Sequence, residues 1–206
     1  PSRLKQTTAR PTRAAPTPVR TLIKPRRKRQ KSLDIRVIIG NPPYSSGDKD
    51  DVGAKSINYP CLDSRVTDTY VVGSSKGMGK SKSYDSYIRA VRWASDRIGD
   101  SGIIGFVSNA GFLDSNSSDG LRKCLSEEFS SIVIFHLRGN QRTQGEVSRK
   151  EGGKIFDSGS RAAIAIYFLV KNPAAAEQGK IMFYDIGDYH SREDKLRIIE
   201  DFKSIA

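Results

Sequence analysis

The sequence predicts an α/β fold, a mostly parallel sheet with a hairpin near its C-terminal end. Three observations predict it. Short apolar, β-branched runs alternate with helix-periodic stretches through the middle of the chain. The first of these runs breaks off at an Asn-Pro-Pro turn. Late in the chain, two strand-like runs follow one another with no helical stretch between them.

Taken in order, Asp34 to Gly40 (DIRVIIG) is a buried strand running into a turn. Residues 45 to 82 are rich in Ser, Gly, Asp and Lys and read as a long loop with little regular structure. A loop of that length is usually functional or mobile. Ser83 to Ile98 reads as a helix: Tyr84, Tyr87, Ile88, Val91, Ala94 and Ile98 share one face, Arg89, Arg92 and Arg97 lie largely off it, and Gly99 is its stop. Gly102 to Val107 is a second strand. Gly120 to Phe129 is a short helix with Asp119 as its N-cap, and Ser131 to Leu137 is a third strand. Residues 138 to 160 form another polar loop. Arg161 to Val170 and Ile181 to Ile186 are the two late strands, and Ser191 to Ile205 is a helix opened by a capping box of Ser191 with Asp194.

A chain of 206 residues is enough for one domain with a real core. No apolar run approaches the ~20 residues that a membrane span needs, and the charged N-terminus lacks the apolar stretch of a signal peptide. Cys61 and Cys124 stand far apart and the chain has two His, so a Cys/His metal site is not expected. The expected compartment is reducing and cytoplasmic. The net charge of +12 sits in one place. Residues 1–32 hold eleven Lys/Arg, no acid and five of the nine prolines, whereas the remainder holds 24 basic and 23 acidic residues. Residues 1–32 are therefore expected to be a disordered tail, and 33–206 the folded domain. The tail reads either as a polycation attracted to phosphates or as a solvated linker. A transit peptide is a third reading, against which the proline density argues.

Asn41, Pro42, Pro43 and Tyr44 directly follow the first strand, and α/β sheets bind ligands beyond the carboxyl ends of their strands. Two prolines fix φ and remove two donors, leaving a rigid turn whose polar groups are mostly acceptors. That set suits a planar base with an exocyclic amino group. The Asn41 side-chain carbonyl and the Pro42 main-chain carbonyl can accept the two amino hydrogens. The nitrogen lone pair is then freed for attack, and the acceptors are preorganised. The Tyr44 ring can stack on the base, a contact worth ~1–3 kcal/mol. A base in duplex DNA reaches such a pocket only by flipping out. The plainer reading is a Pro-Pro turn that happens to follow Asn.

VIIGNPPYS resembles motif IV of the amino-methylating DNA methyltransferases. YDSYIRAVRWASDRI, GIIGFVSNAGFLD and RGNQRTQGEVSRKEGGKIFDSGSRAAIAIYFLVKNP resemble, in order, one subgroup of them. These are the large type ISP restriction–modification enzymes, single polypeptides that fuse nuclease, helicase-like motor, methyltransferase and target-recognition regions. The resemblance runs from about residue 24 to the end and implies a partial Rossmann-like methyltransferase sheet. It implies an adenine-N6 methyltransferase with S-adenosylmethionine as cofactor and DNA as partner, without a covalent intermediate. Cytosine N4 would use similar chemistry. Asn41 and Pro42 would hold the amino group, and Tyr44 and Phe156 would contact the flipped base. Asp85 and Tyr87 would line the cofactor side. Gln141, Arg142, Arg149 and Lys154, in the loop leading to Phe156, would touch the DNA backbone. Read without the resemblance, Phe156 is core packing and those four are a solvated loop.

The subgroup places its Gly-rich cofactor segment before the tetrad, and no GxG after a strand occurs in the forty residues preceding Asn41. The chain is thus expected to supply the target-base half of a larger polypeptide, and an apolar sheet edge left by a missing half predicts association or poor solubility. Two other readings compete. One is a non-catalytic DNA-binding fragment. The other is a P-loop ATPase, from GSSKGMGKS at 73–81, which has five residues rather than four between its first Gly and its GK.

Overall fold

The computed structural model describes residues 18–43, 58–75, 85–156 and 161–203. They fall into two units, within Pro1–Asp34 and Ile35–Ala206. In the first, α1 spans Pro18–Ser32. This departs from the expectation of a tail without structure, and residues 1–17 of that tail lie outside the described residues. Arg, Lys and Gln are good helix formers. Pro18 stands at the first position, where its missing N–H costs nothing, and Arg29 and Lys31 in the last turn complement the helix dipole.

The second unit is built on five strands: β1 Val37–Gly40, β2 Gly102–Asn109, β3 Ser131–Arg138, β4 Ile164–Lys171 and β5 Lys180–Asp185. Their order across the sheet is β1-β2-β4-β3-β5. β1 and β2 are parallel, as are β3 and β5, while β4 runs antiparallel to both of its neighbours, β2 and β3. The fold class is therefore as expected, with one antiparallel strand late in the chain.

The hairpin between the two late strands does not form. β4 has both edges taken, by β2 and β3. β5 instead passes to the outside of β3, where Gly179 and Lys180 donate to the carbonyls of Phe129 and Ser130.

Helices α2 (Pro60–Val66), α3 (Ser86–Arg97) and α5 (Asp119–Glu128) contribute to the larger core. Alternate strand residues Ile104, Phe106, Ile132, Ile134, Ala165, Tyr167 and Leu169 meet Val66, Tyr70, Ile88, Val91, Leu121 and Leu125. Fully burying one such aliphatic side chain is worth about 1.5–3 kcal/mol. The opposite alternation, Val107, Phe135, Leu137, Ile164 and Ile166, meets Ile198 and Ile199 of α7 (Arg192–Asp201), whose capping box of Ser191 and Asp194 is present as expected. Over β1, that second face is open, with Val37 56% and Ile39 79% exposed.

Three local expectations change. The loop read over 45–82 contains α2, which continues into a π-helical turn at Thr67–Val71. Val66 and Tyr70, four apart, are both fully buried and pull this segment into a helix against α3; residues 44–57 and 76–84 lie outside the described residues. The loop read over 138–160 contains a two-turn helix, α6 (Gly145–Glu151). Asp119 does not stand before its helix as cap but opens it, with Ser118 as N-cap. The Asp119 carboxylate accepts from the Ser74 hydroxyl, from the Ser75 N–H and hydroxyl, and from Gly120 N–H, so it ties the chain after α2 to α5. That use of Ser74 and Ser75 also removes the start of the P-loop-like stretch from phosphate binding, and its residues 76–81 lie outside the described residues.

Candidate functional site

β1, β2, β3 and β5 all end on one side of the sheet, and β4 begins there. The turns that gather at this end are Asn41–Pro43 after β1, Ala110–Asp114 after β2 (the last four residues forming the single-turn helix α4), Gly139–Arg142 after β3, and Ile186–Ser191 after β5. Residues 161–163 enter β4 from the same side. α3 also starts here, since only four residues separate its end at Arg97 from the start of β2.

The Asn41 turn rests on a column of buried aromatic rings. Gly40 lies opposite Phe106 in the β1–β2 ladder, and a Cβ on Gly40 would stand 3.5 Å from that ring. Phe106 meets Tyr167 edge-on at 6.1 Å, Tyr167 meets Phe112 at 5.2 Å, and Phe112 meets Tyr87 at 6.4 Å. The Tyr167 hydroxyl is hydrogen-bonded to Ser108, itself buried, at 3.2 Å. Pro42 is buried, while Asn41 and Pro43 are exposed. The turn therefore combines a fixed base with a polar rim, and its two prolines contribute carbonyls and no N–H. Tyr44 lies outside the described residues.

Asp85 is the N-cap of α3. It is 9% exposed, and its carboxylate accepts from Tyr87 N–H at 3.4 Å. Burial pushes this carboxyl up to about 6, against the pull of the Tyr87 and Ser86 N–H groups and of Arg142 and Arg89. Tyr87 is in the core with its ring on Phe112, and burial holds its hydroxyl well above the ordinary range. The two residues expected to line a cofactor thus face the protein: one caps a helix and the other fills the core.

Of the loop residues expected to meet DNA, Gln141 is half-buried and bound into the loop. Its Nε2 donates to Gly152 O at 3.1 Å and its N–H to Arg161 O at 2.8 Å. Arg142 is exposed and close enough to Asp85 to pull on its proton. Arg149, on α6, is exposed and ion-paired with Glu146 one turn away. Lys154 is half-buried. Phe156 is half-buried and packs against the second core of Leu137, Ile155, Ile164 and Ile186, which also reaches Val107, the residue after the partner of Gly40.

Reasoning from sequence misses three features at this end. Arg161 sits exposed just before β4 and donates to Gln141 O at 2.9 Å. Asn109 closes β2 by accepting from Gly111 N–H at 2.7 Å. Arg138 is held by Asp185 and Asp188, and its guanidinium stays raised, chiefly through the Asp185 hydrogen bond. Arg161 and Arg138 carry no local mark, since their partners lie 20 and 50 residues away, whereas the Asn109 turn onto Gly111 is local and Asn before a small-residue pair is its signal.

Chemically, this end offers rigid acceptors over an apolar support, with cationic side chains around it. That suits a flat ligand with an amino group and a phosphate backbone nearby. Among the described residues no Gly-rich turn follows a strand at this end in the manner of a nucleoside or methionine cradle, and no group of His, Cys, Asp and Glu could hold a metal ion. No helix among them is long and apolar enough to cross a membrane.

The family described as Eco57I restriction-modification methylase matches residues 21–142. No curated protein matches the chain. Among solved structures, the chain is similar to a nuclease-deletion mutant of the Type ISP restriction-modification enzyme LlaGI in complex with a DNA substrate mimic. The identity is 51% and the TM-score 0.82, over 88% of this chain and 15% of that one. It is similar to the ATP-dependent Type ISP enzyme LlaBIII bound to DNA, with 37% identity and TM-score 0.85 over 94% of this chain and 13% of that one. It is also similar to DrdV in a DNA complex, with 38% identity and TM-score 0.78 over 86% and 17%. The chain therefore spans about a sixth or less of the length of these relatives.

Proposed function

The chain belongs to the Eco57I restriction-modification methylase family, and from that premise we propose that it forms the target-base side of a DNA methyltransferase acting on adenine N6. It would work within a larger restriction–modification polypeptide. The observation that carries this reading is the Asn41–Pro43 turn, held by buried Pro42 at the carboxyl end of β1.

In this reading the Asn41 side-chain oxygen and the Pro42 carbonyl accept the two hydrogens of the adenine amino group. The group pyramidalises, its lone pair leaves conjugation, and the nitrogen becomes the nucleophile. Because Pro42 and Pro43 cannot rotate φ, the acceptors need no reorganisation as charge develops. Tyr44 and Phe156 sandwich the flipped base. Arg142, Arg149, Lys154, Arg161 and Gln141 contact the backbone and set the register without reading bases. S-adenosylmethionine supplies the methyl group. Among the described residues no Gly-rich cradle for it follows a strand, and in this reading segments of the larger polypeptide complete its site.

The test is methyl transfer by the polypeptide that carries this chain, with product analysis of the DNA. Asn41→Ala is expected to lower transfer ~100-fold or more, the usual cost of removing one preorganised polar group, with DNA affinity little changed. N6-methyladenine is the expected product; N4-methylcytosine would correct the base. Calorimetric titration of the 206-residue chain alone with S-adenosylmethionine separates the halves. Saturable binding would show a complete site here, and an Asn41→Ala variant with full activity would remove the turn from the mechanism.

A further inference from the structure

Lys195 lies in the first turns of α7 and is fully buried. A buried ammonium is costly unless its protons are bound. Its Nζ donates to the main-chain carbonyls of Glu151 and Gly153, both at 2.7 Å. Three residues earlier, Arg192 Nε donates to Ile155 O at 2.9 Å, and His190 O accepts from Gly153 N–H at 2.9 Å. Four hydrogen bonds thus run from residues 190–195 to residues 151–155, the segment that delivers Phe156.

The glycines of this segment confirm how closely it is pressed. A Cβ on Gly152 would stand 2.1 Å from His190 O, and one on Gly153 2.5 Å from Arg192 N. Gly152 also takes φ +67°, which L side chains rarely adopt. The segment then passes Ile155, buried in the second core, and ends at half-buried Phe156 on the rim of that core. Burial pushes the Lys195 ammonium down to about 8, with the Glu151 carboxylate pulling the other way.

We infer that Lys195, with Arg192, is a positioning residue of the proposed base pocket: by holding the carbonyls of Glu151, Gly153 and Ile155 it fixes the orientation in which Phe156 meets the target base. The inference rests on the reading of Phe156 as a base-stacking residue. Lys195 acts through main-chain carbonyls and touches no substrate. Truncating it removes two of the side-chain hydrogen bonds on the loop and leaves those of Arg192 to Ile155 O and of Gln141 to Gly152 O, while the core beneath keeps Ile155.

The test moves the fluorophore to the residue in question. Trp93 is the only tryptophan of the chain, so Trp93→Phe with Phe156→Trp leaves one indole, at position 156. This chain is titrated with an oligothymidylate carrying one adenine and with the same oligomer lacking it. An adenine-dependent quench is expected. Adding Lys195→Met should weaken that quench at least tenfold, while affinity for the all-thymine oligomer, read by anisotropy, changes less than twofold. Where Lys195→Met fails to fold, Arg192→Ala in the same background is read instead and should also weaken the adenine-dependent quench. A quench that survives either variant in a folded chain overturns the inference and leaves the stacking reading intact. No adenine-dependent quench in the parent chain overturns the stacking reading, and the inference with it.

Discussion

Replacing Asp85 with Asn should make the domain more stable at neutral pH. The carboxyl is 9% exposed and is pushed from 3.8 to about 6 by burial. A group whose pKa is raised on folding contributes stability that is fully present below its unfolded value and is lost as pH rises through the folded one. The window here is therefore pH ~4 to ~6. Two pKa units correspond to about 3 kcal/mol lost by pH 7 relative to pH 3.5. Asn is neutral throughout, and it serves as N-cap about as well as Asp, so the bond to Tyr87 N–H survives. The expected gain for Asp85→Asn is about 1–3 kcal/mol at pH 7.5 and near zero at pH 3.5. Urea unfolding followed by Trp93, half-exposed on the same helix, measures both. A variant no more stable than the parent at pH 7.5, or an unchanged slope of stability between pH 4 and 6, would refute the assignment of the cost to burial of this carboxylate.

Arg92 is 1% exposed and holds Glu128 at 2.7 and 3.1 Å and Asp96 at 2.7 Å. Arg92→Leu should cost about 3–5 kcal/mol in urea unfolding, because Glu128 is left half-buried without its countercharge; adding Glu128→Leu should recover much of that. A Cβ on Gly120 would stand 2.1 Å from Tyr70 O and 2.7 Å from Ser74 N. Gly120→Ala should therefore lower stability by about 1–3 kcal/mol or more, and a thermal midpoint equal to the parent's would contradict the packing of α5 on the π-helical turn. Ile39→Lys, at a side chain 79% exposed, should reduce concentration-dependent association in sedimentation velocity while shifting stability by less than about 0.5 kcal/mol. The Cys124 thiol is pushed up to about 12 by burial and Glu128, whereas Cys61 is exposed. A thiol reagent at pH 8 should modify Cys61 first and Cys124 at least ~100-fold more slowly.

Much of the architecture was legible in the residues because it is local. The five strands announce themselves as short apolar runs, rich in β-branched residues in β1 to β3 and in aromatic ones in β5. α3 shows its one-sided spacing of Tyr87, Ile88, Val91 and Ala94, and α7 shows its capping box. The Asn-Pro-Pro turn was legible because proline chemistry does not depend on neighbours. The helix at Pro60–Val66 could have been found from Leu62, Val66 and Tyr70 at spacings of four, but the charged and polar residues between them concealed it. Asp119 looked like a cap because Asp is among the favoured N-cap residues; beside Gly120 N–H its partners are Ser74 and Ser75, more than forty residues away.

By itself, then, the sequence determined the five strands, the helices α3, α5 and α7, their order, the acceptor-rich turn after β1 and the family, since each is written in short contiguous stretches. Only the tertiary structure decided which strands are neighbours. β4 and β5 follow one another in sequence and look like a hairpin, yet β4 is enclosed by β2 and β3, and its hydrogen-bonding edges are spent before β5 can reach them. It also decided which polar residues face inward. Tyr87 and Asp85 are core and cap because α3 packs at the start of the aromatic column. Lys195 is buried because the loop before Phe156 folds across α7, where paired carbonyls can offset the cost of removing its charge from water.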